Sequence, residues 1–284
     1  MTPDEQCSPL ARPSLSARPS PPARPSPSVR PSPPARADAA NAIEAPGTDE
    51  RLWRSWPVLP ALPEAVLPRR GHVVVVAAHP DDEVLGFGGA MALLAAAGVR
   101  LTVVAVTDGE RSHPGSLLVT PAGLAEIRAK ETLDALAELG AAHARVIRLG
   151  MPDTAVAGCE EELTTRLVPL LTGAALCVAP WTGDIHADHE AAGRAAGAAA
   201  RRTGTPLHLY PVWMWHWAHP GDPRVPWEEA ARIPLPPGVV ARKAAALDRF
   251  ASQIRPLGPG AADAAVLPPE ELAHHVRDME VVFR

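Results

Sequence analysis

The sequence predicts an α/β fold: a Rossmann-like, mostly parallel sheet with helices on both faces, forming a single domain behind a disordered N-terminal tail. Two observations point to the sheet and a third to the tail. From Gly71 onward, strand-length apolar runs alternate with helix-length segments, the pattern of βαβ units with right-handed crossovers. The first run, 73–78, has no polar residue to face solvent, as expected of a parallel strand buried on both sides. Before residue 40 lie about a third of the chain's 34 prolines and too few large apolar side chains to build a core.

The boundary is drawn at residue 50, with a Pro/Ser/Arg-rich tail over 1–50 and one domain over 51–284. Residues 11–36 repeat a six-residue unit that sets Arg12, Arg18, Arg24, Arg30 and Arg36 at equal intervals, along one face of a polyproline II helix. Such a face suits a proline-recognising domain or an acidic surface; an unselected low-complexity leader reads the same. Residues 37–70 read as an irregular lead-in. Strands are then expected at 73–78, 101–107, 145–149, 175–179 and 207–212, and helices at 88–97, 121–139, 160–171 and 189–201. Helix 121–139 carries Leu124, Ile127, Leu133 and Leu136 at helical spacing and stops at Gly140. The end of the chain is less regular, with helices at 239–254 and 268–277 and a closing strand at 280–283.

A net charge of −5 and a pI near 6.1, with no basic stripe in the domain, argue against a nucleic-acid partner. The sequence has no run of 18 apolar residues and no apolar leader segment, so a cytoplasmic protein without a membrane span is expected. Cys7, Cys159 and Cys177 are odd in number and far apart, which offers neither a disulfide framework nor a zinc knuckle. Oligomeric state is not legible.

Ligands in open α/β sheets gather beyond the carboxyl ends of the strands, and two loops there carry unusual charge. The first, His79-Pro80-Asp81-Asp82-Glu83, sets an imidazole and three carboxylates against the end of a buried strand. That demands a cation or a substrate. The second runs from Asp184 to His189, with His186 and His189 three apart at an opening helix. Together they offer a His, an Asp and a second His, the ligand set of a catalytic zinc that keeps one position for water. Each alone is weak: Asp-Asp-Glu favours a helix N-terminus anyway, and an isolated His-x-x-His is usually surface.

The segments AHPDDEVLGFGG, VTDGERSHPGS, IRAKETLDALAELG, LGMPDT and HADHEAAG resemble the PIG-L (LmbE-like) family of zinc-dependent N-deacetylases acting on N-acetylglucosaminyl conjugates. The likeness runs from about Gly71 to the end of the chain and is strongest over its first ~130 residues. The resemblance implies an LmbE-like fold and a hydrolase that removes an N-acetyl group from an amino-sugar conjugate. It implies His79, Asp82 and His189 as zinc ligands, Asp81 as general base, and His186 as the group that stabilises the tetrahedral intermediate, oriented by Asp188. Another divalent ion, such as Fe2+, could take the same ligands. The rival readings are a non-catalytic sugar-binding relative and a two-His-one-carboxylate iron enzyme.

Around this set, Asp108, Glu110 and Arg111 follow the second strand. Arg111, Arg128 and Asp153 are candidate substrate contacts. For Arg128 the rival is a surface ion pair with Glu131, for Asp153 a turn position after Pro152, and for Asp188 a helix N-cap. Gly86, Gly88 and Gly89 lack the dinucleotide spacing and read as close approach of helix to sheet. Trp213, Trp215 and Trp217 alternate as on one face of a strand, either core or a sugar-stacking platform. His274 and His275 read as surface.

Overall fold

The computed structural model describes residue 43 and residues 45–284; the repeat at 11–36 and Cys7 lie outside the described residues. Seven strands form one sheet: β1 (His72–Ala77), β2 (Arg100–Ala105), β3 (Arg145–Arg148), β4 (Leu176–Pro180), β5 (Leu207–Tyr210), β6 (Ala230–Pro234) and β7 (Met279–Phe283), in the spatial order β3-β2-β1-β4-β5-β7-β6. The first five are parallel, and β7 runs antiparallel to β5 and β6. Alternation along β1 feeds two cores. Val73 and Val75 pack with the helices Asp82–Ala96 and Pro237–Leu247; Val74 and Val76 pack with Glu160–Leu171 and Ala187–Thr203. This is the expected α/β sandwich. Among the described residues, no helix is long and apolar enough to cross a membrane.

The first long helix begins at Asp82, six residues before the expected start at 88. Its glycines look like breakers in the sequence but serve packing. A Cβ on Gly86 would enter the Tyr210 ring, and one on Gly89 would meet Leu235. The Tyr210 hydroxyl in turn donates to the Val76 carbonyl at 2.8 Å, tying helix, β1 and β5 together.

Five further expectations need correction. The expected helix 239–254 is two helices, Pro237–Leu247 and Ala251–Ile254, and 268–277 shortens to Pro269–Leu272 with a 3-10 turn after it. Residues 213–217 are not a strand with an indole face: Met214–Trp217 is one helical turn, because the buried Asp184 carboxylate takes the Val212, Trp213 and Met214 N–H groups at 2.9–3.0 Å and bends the chain there. Trp215 joins Trp53 and Trp181 in a separate apolar cluster, which favours core for that indole. His274 and His275 are buried, not surface, with His274 Nδ1 2.8 Å from Glu50. Finally, residues 45–50, assigned to the tail, pack on the domain: Thr48 N donates to His216 O, and Asp49 caps the helix Glu50–Ser55.

One ion pair is set deep in this scaffold. Lys243 Nζ lies 2.7 Å from Glu280 and both side chains are 2% exposed. Lys243 also donates to the Leu85 carbonyl, while Glu280 accepts the Gly89 and Ala90 N–H groups at 2.7 and 2.9 Å. Leu85 O and Gly89 N are i, i+4 positions of one helix, so the pair grips the first helix by its backbone. Removing one partner strands a buried charge. Lys243→Met should lower unfolding free energy by about 3–5 kcal/mol in urea titrations; a loss below about 1 kcal/mol would show that the pair does not hold the helix.

Candidate metal centre and active site

β1 and β4 are neighbours, but the chain continues to opposite sides, from β1 to β2 and from β4 to β5. A crevice forms where strand order reverses, and both charged loops open there. Among the described residues, the non-glycine positions with positive φ are Asp81 (+139°), Thr154 (+68°) and Ile185 (+73°). They stand in the loops after β1, β3 and β4, so backbone strain is concentrated at the crevice.

His79 Nδ1 lies 3.2 Å from His189 Nε2 and 3.5 Å from one Asp82 oxygen, and His189 Nε2 lies 3.3 Å from the other. Ligands held tetrahedrally about 2.0–2.1 Å from zinc stand about 3.3–3.4 Å apart. The two histidine nitrogens are close to that spacing, and each is approached by a different oxygen of Asp82. The remaining ring nitrogens are also placed. His79 Nε2 is 3.2 Å from Asp153 and 3.4 Å from Asp188, and His189 Nδ1 is 2.7 Å from Asp184. Carboxylates behind ligating histidines fix their tautomer and raise their basicity.

Two other donor groups share His79, one with His186 and His189 and one with Asp153 and Asp188. Asp82, expected from the sequence as a ligand, is in neither group: one of its oxygens accepts the His79 backbone N–H at 2.8 Å, and the carboxylates of the last group are likewise engaged by backbone N–H groups. Asp188 accepts the Thr154 and Val156 N–H groups, and Asp153 accepts that of Arg111.

The electrostatics also favour a cation. Asp81, Asp82, Glu83, Asp153, Asp184 and Asp188 are all buried. Burial opposes a charge on His79, yet Asp153, Asp188 and Asp82 hold its pKa well above the usual value. Burial would raise Asp82, but His189 and His79 keep it below the carboxylate range. Burial pushes Asp81 up to about 7 against the pull of Arg128, and Glu83 up to about 8. Burial, then charge on His189 and His79, lowers His186 to about 3. That favours the neutral ring over the cationic one.

The structure brings His79, Asp81, Asp82, His186 and His189 together on one cavity of about 1050 Å3, with Arg111, Arg128 and Asp153 also in its lining. Several contacts differ from expectation. Arg128 is buried and does not pair with Glu131. It donates to Asp81 at 2.9 Å and to the carbonyls of Pro80 and Gly109, while Glu131 accepts from Ser252. Asp188 turns to His79 instead of His186. The N-cap is His186, whose Nδ1 accepts the Asp188 N–H at 3.3 Å, leaving Nε2 to carry the proton. Asp184, which heads the second motif five residues before His189, has no role in the family pattern quoted above, and its position in the motif is the sequence signal for the support it gives that ring.

A family model described as GlcNAc-PI de-N-acetylase (PIG-L) matches residues 74–200. The 1D-myo-inositol 2-acetamido-2-deoxy-alpha-D-glucopyranoside deacetylase 1 of Catenulispora acidiphila is 41% identical over 102 residues, 33% of this chain and 29% of that protein. The chain thus matches less than a third of that relative's length. Among solved structures, the zinc-inhibited form of teicoplanin deacetylase aligns with a TM-score of 0.55 at 18% identity, over 75% of this chain and 97% of that one. A pseudoaglycone deacetylase for an antimicrobial reagent aligns with a TM-score of 0.51 at 20% identity, over 76% and 97%. Both share the fold.

Elemental analysis of purified protein should find about one divalent ion per chain, lost in His79→Ala and in His189→Ala. Asp184→Ala should weaken metal affinity ~10–100-fold in chelator competition through the unsupported His189 ring. Full metal content in both histidine variants would refute the ligand set.

Proposed function

We propose that the chain, whose residues 74–200 match the GlcNAc-PI de-N-acetylase family model, hydrolyses the N-acetyl amide of an N-acetylglucosaminyl conjugate. The observation that carries the reading is the convergence of His79, Asp82 and His189 with Asp81 beside them, outside the donor set and facing the cavity. The name of the Catenulispora relative describes a deacetylase of an acetamido-glucopyranoside conjugate, the same substrate class.

His79, Asp82 and His189 would hold zinc or a similar divalent ion, which when bound would supply Lewis acidity toward water and the amide carbonyl. Asp81 takes the proton of the attacking water as a C–O bond forms at the amide carbon. Arg128 fixes the Asp81 carboxylate through its bond to Oδ2. Charge builds on the former carbonyl oxygen, where Nε2–H of the neutral His186 donates a hydrogen bond. The C–N bond then breaks, and the amine leaves with the proton that Asp81 carried, giving acetate and a free amino sugar. Asp153 and Asp188 act as positioning residues on His79, and Asp184 on His189. Arg111, exposed at the rim with its backbone tied to Asp153, is the side chain suited to meet substrate.

Screening N-acetylglucosaminyl conjugates for amine release, with and without added zinc, tests the reaction. Asp81→Ala should keep its metal and lose about a hundredfold or more in turnover. Wild-type rates in that variant would leave the reaction without its base, and absence of amine release from every conjugate would favour a sugar-binding relative.

A further inference from the structure

The cavity is larger than an amino sugar needs. Its volume of about 1050 Å3 reaches the top of the roughly 300–1,000 Å3 range of pockets that bury whole drug-sized ligands. Part of its wall is residues 45–50, which lie upstream of the family-matched region. That stretch is tied at several points. Thr48 N and Oγ1 donate to the carbonyls of His216 and Ala218 at 2.8 and 2.6 Å. The His216 ring bonds the Ala45 carbonyl through Nε2 at 2.9 Å and Glu271 through Nδ1 at 2.6 Å. Glu50 closes the stretch on Arg277 and His274, each at 2.8 Å.

The ties lead back to the candidate metal ligands. Trp213 packs edge-on against His216 at 5.8 Å, and its N–H is held by Asp184, the partner of His189. Between the tethers, Ala45, Pro46 and Gly47 share the cavity lining with Val266, Leu267 and Pro268, surfaces of carbon with no fixed charge. The charged side chains that the same segments bring to the lining are acidic: Asp49, Glu50, Glu270 and Glu271. Asp49 and Glu50 are paired with Arg51 and Arg277, so these segments hold out no unpaired cation to an anionic group, and a small polyol would leave the carbon surfaces wet.

We propose that residues 45–50, pinned by His216, form the wall of a second subsite, and that it accepts a neutral, largely apolar alkyl or aryl group attached to the amino sugar. This rests on the deacetylase reading for the identity of the sugar, but the subsite can be tested apart from turnover. Gly47 is the lever: its φ lies outside the left-handed region, yet an added Cβ would sit 2.5 Å from His216 Nδ1. Gly47→Val should wedge the segment off its tether, and His216→Ala should release it by removing the tether.

The experiment uses the full-length, metal-loaded chain, with thermal midpoints confirming that each variant folds. Wild type should deacetylate octyl N-acetylglucosaminide with a kcat/KM at least about tenfold above that for free N-acetylglucosamine. Both variants should lose that advantage, mainly through a raised KM for the octyl glycoside. Calorimetry with octyl glucosaminide against glucosamine should show the same preference in binding, lost in Gly47→Val. Equal binding of the two by wild type, or an undiminished preference in both variants, overturns the subsite. A binding preference that Gly47→Val removes, without amine release from either amide, supports the subsite and sinks the deacetylase reading.

Discussion

The imidazole of His79 has two nitrogens, and the site depends on both being used. Nδ1 faces Asp82 and His189, while Nε2 faces Asp153 and Asp188. One ring thus gathers the loops after β1, β3 and β4. Rotating it would separate the donor face and leave two buried carboxylates without their partner, so the loops must reach the crevice in register. The strand order provides that register, since β1 stands between β2 and β4 and its carboxyl end lies between the loops it must join.

Holding the ring is only half of the requirement, because Asp82 belongs to a helix that could slide. The Lys243–Glu280 pair, contributed by the last third of the chain, grips that helix at Leu85, Gly89 and Ala90. Tyr210 fills the groove that Gly86 leaves open. The closing elements therefore belong to the site's support even though the family match ends at residue 200. A buried ion pair is a costly way to hold a helix unless its hydrogen bonds are met; here the helix backbone meets them.

Much of this was legible in the sequence because it is periodic or local. Continuous runs such as 73–78 gave the parallel strands, and two short motifs gave the residues that converge. What escaped the reading depends on partners distant in the chain. Asp184 could be seen as a carboxylate, but not as the acceptor of three N–H groups 28 to 30 residues onward, which turns 213–217 into a helix. Alternating tryptophans look like a strand face until that cap is known. Arg128 and Glu131 have the spacing of an ion pair on a helix, and burial sends them to Asp81 and Ser252 instead. His274 and His275 follow two glutamates in a polar stretch, and nothing local says that Glu50 covers one of them.

The positive-φ residues Asp81, Thr154 and Ile185 bear on how such a protein can diversify. Each keeps a strained backbone that a side-chain exchange would relax or break, so the motif loops can change chemistry only if the main chain is re-solved as well. The far wall carries no such debt: Pro46, Val266 and Leu267 sit on backbone with ordinary φ. On the proposed reading, single substitutions in that wall would change what is accepted while leaving the strained loops of the crevice untouched, so drift in specificity and constancy of reaction would be separated along the chain.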